Sequence, residues 1–379
     1  MRKITKTKHH SHKIGKLPKG CQHCVKGKKM VLFITGVCSG SCFYCPLSDT
    51  RKEKDFVWAN EWKVGKKSDV IEEARISSSG GAGVTGGDPL MKLDRTISHI
   101  KMLKNAMGED YHVHLYTPLN LVTKKRIENL YKSGLDEIRM HPDLDNPEDW
   151  KRIEVTLKYD WDIGIEIPAI PDKVKQAKQL IDYIKDKASF ININELEVAD
   201  NFSQKRLTKK YTTKSKLSYA VKGSQTAARE LLRYIAKNTK LNAHYCPAKL
   251  KDAVQLKNRI KLRAKNVAKP YDKITSEGTL VRGAIYLKDL VPDKDYRIKL
   301  QMIDKKSYVK KLFKVKRELQ SKWNININDA DVDMEKMRII LNKDFVKRIK
   351  SDLKKDRLVP AVVEEYPTHD GLEVEINFL

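Results

Sequence analysis

The chain has 379 residues, 40% of them hydrophobic, which is enough to bury one large α/β domain and a smaller one and excludes a disordered protein. Six cysteines in this length exclude a disulfide scaffold, and no run approaches the roughly 20 apolar residues that cross a bilayer, so the expected setting is a reducing cytoplasm. A formal charge of +27 either draws anionic partners such as RNA or reflects lysines spread over solvated helix faces.

Residues 1–29 hold ten Lys or Arg and no acid, with His9, His10 and His12 grouped, and are expected to form a loosely docked arm. The apolar run that follows leads into cysteines rather than a cleavage site of small residues, so this start does not read as a secretory signal. Within the arm, Cys21-Gln22-His23-Cys24 is a C-x2-C pair able to bite one metal from a tight turn, with two ligands still to come from elsewhere. Met30 to Gly36 predicts a strand over 30–35. Directly after it stand Cys38, Cys42 and Cys45, spaced C-x3-C-x2-C around Ser39, Gly40 and Ser41. Those small residues let the backbone wrap a cluster and aim N–H groups at its sulfurs. Three thiolates hold three irons of a cubane and leave one iron open, whereas an electron carrier closes the cage with a fourth thiolate. A zinc knuckle is the competing reading, although structural zinc sites group their cysteines in pairs.

A strand-then-helix alternation continues, with strands predicted over 82–85, 111–116, 136–140, 162–167 and 190–198 and amphipathic helices over 92–107 and 172–186. Such alternation implies a parallel sheet with right-handed crossovers, whose active site lies at the carboxyl ends of the strands. The cysteine loop follows the first strand and so falls on that face. The second strand ends in Gly86-Gly87-Asp88-Pro89, a backbone that a ligand can approach closely. Thr117 and Asn120 follow the third strand, Arg139 and His141 close the fourth, Glu166 lies in the fifth, and Asn192, Asn194 and Glu195 line the sixth. Each is either a ligand contact or a cap on a strand end.

Beyond residue 200 the rhythm stops. Residues 201–270 read as a polar linker or lid followed by a helix over 226–237, the segment His244-Tyr245-Cys246 and a basic helix over 248–267. That last helix, with Lys249, Lys251, Lys257, Arg259, Lys261, Arg263 and Lys265, is the candidate nucleic-acid face. Cys21, Cys24, His244 and Cys246 are expected to meet as a second metal site, zinc or an auxiliary iron–sulfur cluster, the alternative being an inert buried Cys246. Residues 271–379 predict an α+β module with hairpins over 273–301 and 358–378 and helices near 305–322 and 343–355.

The loop Cys38, Cys42, Cys45 resembles the signature of the radical SAM superfamily, and the chain as a whole is similar to archaeal proteins described as related to pyruvate formate-lyase activating enzymes. The resemblance implies a partial (β/α)6 barrel over 25–200, preceded by the arm with its cysteine pair over 1–24. It implies a [4Fe-4S] cluster on Cys38, Cys42 and Cys45, whose fourth iron takes S-adenosylmethionine. Tyr44 would touch the adenine. Gly86, Gly87 and Asp88 stand where the family has a Gly-Gly-Glu that holds the methionine amino group, Asp88 having the shorter reach. Arg139, His141 and Glu166 would reach the ribose and carboxylate. A flavodoxin- or ferredoxin-like donor would reduce the cluster, S-adenosylmethionine would split to methionine and a 5′-deoxyadenosyl radical, and the radical would take a hydrogen atom from a substrate. Three classes stay open on these grounds: an activase acting on a protein, a radical enzyme acting on RNA, and a non-enzymatic metal-bound RNA-binding module.

Overall fold

A computed structural model of the chain describes residues 1–199, 201 and 204–379 and divides into two compact units, Met1–Arg259 and Ile260–Leu379. The first unit is built on one sheet. Its strands in chain order are β1 (Ile4–Lys6), β2 (His12–Ile14), β3 (Lys29–Phe33), β4 (Trp58–Ala59), β5 (Trp62–Lys63), β6 (Gly81–Thr85), β7 (His112–Pro118), β8 (Glu137–His141), β9 (Asp162–Ala169), β10 (Phe190–Glu195) and β11 (Asn242–Cys246). In space they run β1-β2-β11-β10-β9-β8-β7-β6-β3-β4-β5. From β3 to β11 the pairings are parallel, so the six expected strands are joined by a seventh, β11.

The strands are two-faced, and this follows from their alternation. Outward residues such as Val113 and Leu115 on β7, Ile138 and Met140 on β8, Ile165 and Ile167 on β9 and Ile191 and Ile193 on β10 are all buried in one apolar cluster. Whereas α1 (Lys19–Val25) turns Cys21 and Cys24 to the other face of the sheet, the outward residues are covered by α2 (Lys67–Ile76), α3 (Leu93–Met107), α4 (Lys124–Tyr131), α5 (Val174–Ile184) and, after the short α6 (Lys205–Lys210), α7 (Ser224–Asn238). That inner face carries His112, His114 and Tyr116, then Glu137 and Arg139, then Glu166, Asn192 and Asn194, then His244 and Cys246.

Two expectations change here. Residues 1–29 are not a loose arm: β2 pairs antiparallel with β11, His12 opposite Tyr245, and α1 packs on β3, β6 and β7. Hydrogen bonding to an otherwise open sheet edge ties this basic stretch down. The basic helix is also not a uniform charged face. It starts at Ala248–Leu250, passes through a π-helical segment Lys251–Leu256 and continues over Lys257–Val267. Lys251 is bonded to Glu197, Arg259 forks onto Glu61 at 2.7 and 2.6 Å, and Arg263 is buried with Pro367 O as a partner. Three of its cations are thus spent inside the protein.

The second unit is an antiparallel sheet of β12 (Lys273–Ile274), β13 (Leu280–Leu287), β14 (Ala330–Asp333), β15 (Arg338–Leu341), β16 (Leu358–Glu365) and β17 (Glu373–Phe378), with helices Lys305–Trp323 and Lys343–Lys355 close to their expected bounds. The β14-β15 pair lay unread in the sequence. Arg338, with no exposed surface, is bonded to Asp333, Glu373, Glu365 and the Tyr286 hydroxyl. Removing this guanidinium takes a partner from three carboxylates, of which Glu365 keeps Arg282 and Lys336, so Arg338→Met should cost about 1–3 kcal/mol in urea or thermal unfolding of the full chain, and an unchanged transition would show the network to be ornamental.

Candidate active site

The cysteine loop lies at the carboxyl end of β3, and the ends of the next strands hold it. Asp88, with no exposed surface, caps the turn after β6 by accepting from the Leu90 N–H at 3.0 Å. Its carboxylate also accepts from the Ser39 hydroxyl at 2.9 Å and the Thr117 hydroxyl at 2.9 Å. Burial nevertheless raises its pKa above the ordinary carboxylate range, because desolvation outweighs those donors. Asn120 donates to Ser39 O at 3.3 Å. Beyond the third cysteine, Asn201 donates to Leu47 O at 2.8 Å and Gln204 to Tyr44 O at 3.3 Å and Cys45 O at 3.2 Å.

Tyr44 and His141 make the other anchor. His141 Nδ1 lies 2.7 Å from Glu166 O, an acceptor, so Nδ1 carries the hydrogen and Nε2 accepts the Tyr44 hydroxyl at 2.7 Å. Burial lowers the His141 pKa and keeps the ring neutral, the state this chain of bonds needs. Gly86 and Gly87 allow the closest approach: a Cβ on Gly86 would lie 2.5 Å from Thr35 O, and one on Gly87 2.4 Å from Val37 O. The two strand ends can therefore meet only if both positions lack side chains.

Cys38, Cys42 and Cys45 are free thiols, the first two exposed. The Gly40 N–H points at Cys38 Sγ at 3.3 Å, a donor of the kind that supports a sulfur bound to iron. Partial desolvation of their sulfurs pushes the Cys38 and Cys42 thiols up although both residues keep exposed surface, so cationic irons would be needed to hold them as thiolates. The donor set fits a cluster with one iron left open.

The remaining residues singled out in the sequence lie apart from this rim. Arg139 and Glu166 turn inward, Arg139 Nη1 meeting Glu166 Oε2 and the Tyr116 hydroxyl, each at 3.2 Å. Asn192 and Asn194 donate to the same Glu166 carboxylate at 3.1 and 2.9 Å. Glu195 bonds Lys214 and the Ala248 N–H. Cys21, Cys24, His244 and Cys246 line one cavity of about 180 Å³ together with Arg139 and Glu166. Among the described residues, no three His, Cys, Asp or Glu groups surround one point closely enough to hold a single ion. His23 stacked on His112 at 5.8 Å, and His114 tilted against His112 at 5.4 Å, were not singled out in the sequence. The signal was present as polar residues at every second position of strands whose other face is apolar.

Fold and loop together define an α/β enzyme built on a sheet of parallel strands, with three free thiols at the rim beyond β3. The chain belongs to the radical SAM superfamily, whose sequence profile matches residues 32–193, and that family uses a [4Fe-4S] cluster and S-adenosylmethionine. A Methanocaldococcus jannaschii protein provisionally named a glycyl-radical enzyme activating enzyme is 37% identical over 373 residues, 95% of this chain and 92% of that protein. A Methanococcus maripaludis protein provisionally named a GTP 3′,8-cyclase is 24% identical over 178 residues, 43% of this chain and 57% of that protein. The radical S-adenosylmethionine methyltransferase TsrM from Kitasatospora setae, with tryptophan and a cofactor analogue bound, matches over 70% of this chain and 58% of its own at 11% identity, TM-score 0.37.

Asp88→Ala leaves the Ser39 and Thr117 hydroxyls and the Leu90 N–H without their acceptor and should cost about 2–3 kcal/mol, with iron content after anaerobic reconstitution falling in parallel; full iron loading would show the loop to be held otherwise. A second expectation concerns pH. Burial pushes the His112 pKa from 6.5 down to about 4 and that of His114 well below its ordinary value. Between about pH 6.5 and pH 4 the unfolded chain then binds more protons than the fold, so this stability is complete above the window and lost as pH falls through it, by on the order of 1–2 kcal/mol per ring. Urea midpoints at pH 7.5 and pH 5 check this, and His112→Asn with His114→Asn should reduce the difference without removing it, because burial also lowers the pKa of His141 and of His244.

Proposed function

We propose that the protein is a radical SAM activating enzyme that acts on a protein partner. The observation that carries this reading is the 37% identity, over nearly the whole of both chains, to a relative provisionally named a glycyl-radical enzyme activating enzyme. In this reading Cys38, Cys42 and Cys45 hold the [4Fe-4S] cluster and leave its fourth iron to S-adenosylmethionine. Bound there, cluster and cofactor supply a 5′-deoxyadenosyl radical on one-electron reduction. The chain's own part is placement. Gly86 and Gly87 offer bare backbone to the methionine moiety. Tyr44, fixed by His141, presents its ring beside the third cysteine. Asp88 acts mainly by clamping the loop, since the Ser39 and Thr117 hydroxyls and the Leu90 N–H occupy its carboxylate. Arg139 and Glu166 shape the interior beneath.

An activase takes a hydrogen atom from a glycine Cα of its partner, leaving 5′-deoxyadenosine and a carbon radical on that partner. The electron would come from a flavodoxin- or ferredoxin-like donor. Among the described residues no helix is long and apolar enough to cross a membrane. Family membership removes the non-enzymatic reading. The RNA reading rests on net charge alone, and the basic helix is weakened as its binding face because three of its cations are engaged within the protein.

Anaerobic protein given S-adenosylmethionine and dithionite should release 5′-deoxyadenosine, and Cys42→Ala should abolish the release. A partner captured under the same conditions should then show a carbon-centred radical by electron paramagnetic resonance. Release of 5′-deoxyadenosine that instead rises with added RNA, and declines steeply with salt, would favour the nucleic-acid substrate.

A further inference from the structure

Half of the cysteines stand outside the rim loop. Cys21, Cys24 and Cys246 are 7%, 7% and 9% exposed and come from two elements far apart in sequence, α1 and the end of β11. The elements are locked together: Val25 and Cys246 share a small apolar cluster with Leu250, and Asn258 donates to Val25 O at 2.8 Å. The C-x2-C spacing puts Cys21 and Cys24 three residues apart on one helical face, and both line the cavity that Cys246 closes from the other side. The geometry points to a second iron–sulfur cluster, held by Cys21, Cys24 and Cys246 in the interior of the Met1–Arg259 unit and separate from the rim loop.

Three features favour a cluster over one metal ion or three inert thiols. The thiols share a cavity of about 180 Å³ without closing on a common point. A tetrahedral zinc site needs all its sulfurs about 2.3 Å from one ion, whereas a cubane gives each thiolate its own iron and spreads the sulfurs over different corners. The rim cysteines behave alike: they too form no single-ion site in this structure, although their family seats a four-iron cluster. Second, the surroundings suit anionic sulfur. The Arg139 guanidinium lies 3.4 Å from Cys21 Sγ and the Asn192 amide 3.3 Å from it, and the Lys29 and Lys251 ammonium groups line the same cavity. On ligation each thiol loses its proton to solvent. Arg139 and Lys251 are already matched to Glu166 and Glu197, so the Arg139 and Asn192 N–H groups serve as hydrogen-bond donors to sulfur and Lys29 is the cation left to offset charge. Third, a fourth donor is at hand. His244 lines the cavity, its Nε2 lies 3.2 Å from Ser11 Oγ, and its buried Nδ1 has no partner. With Nε2 donating to Ser11, the Nδ1 lone pair is left for the remaining iron.

The test is a metal and sulfide count on the full chain prepared anaerobically. Two four-iron clusters predict about eight irons and about eight sulfides per chain. Cys21→Ser with Cys24→Ser, and separately Cys38→Ser with Cys42→Ser, should each leave about four, and the reduced electron paramagnetic resonance spectra of the two variants should differ. The wild-type count already decides the matter should a variant fail to fold. About four irons in the wild type, all lost with Cys38→Ser and Cys42→Ser, overturns the proposal and leaves the rim cluster standing. One zinc retained by the rim variant overturns it as well.

Discussion

Everything in the first unit depends on a sheet whose two faces have opposite character. Apolar residues of β7 to β10 point outward and bury themselves against α3, α4, α5 and α7. The core therefore lies around the barrel rather than in it, and the inward positions are released from packing duty. They hold Tyr116, Arg139, Glu166 and Asn192, groups that would be ruinous in an apolar core but here satisfy one another, beside His114, whose ring nitrogens are buried without a partner. A barrel lined in this way offers a polar, enclosed interior beneath the cysteine loop.

The loop could seat a cluster only if it is held still, because a radical formed there would react with whatever lay within reach. Two anchors do this. Asp88 joins the loop to the ends of β6 and β7, and His141 joins it through Tyr44 to β8 and β9. Both rest on groups kept in one protonation state by burial and hydrogen bonding, and neither calls on the cluster's own thiols. Residues that the family resemblance casts as cofactor contacts thus also act, through their second hydrogen bonds, as the frame of the cluster seat.

Charge illustrates how composition can mislead. A net +27 suggests a phosphate-binding surface, yet Arg139, Arg263 and Arg338 are buried, and Arg259 and Lys251 are matched to carboxylates. Cations at these positions join elements within each unit. Each such pair removes one charge of either sign and leaves the net +27 on the rest of the chain, so the pairing decides where the excess lies and not how large it is.

Spacing and periodicity alone determined a good deal of this protein. The parallel strands, the helices on their outer face and the position of Cys38, Cys42 and Cys45 at the catalytic rim are local patterns, set by which residues recur every second or every third to fourth position. The cysteine pair of α1 and the lone Cys246 were also visible, as was their suitability for metal. What only the tertiary structure decided is everything that depends on long-range pairing: that the basic start becomes an edge strand on β11, that β11 joins the sheet as a seventh parallel strand, that Asp88 turns to Ser39 and Thr117, and that three thiols more than two hundred residues apart at the extremes line one cavity. A side chain's partner across a sheet is fixed by register and by which strands happen to be neighbours, and neither is written in the local sequence.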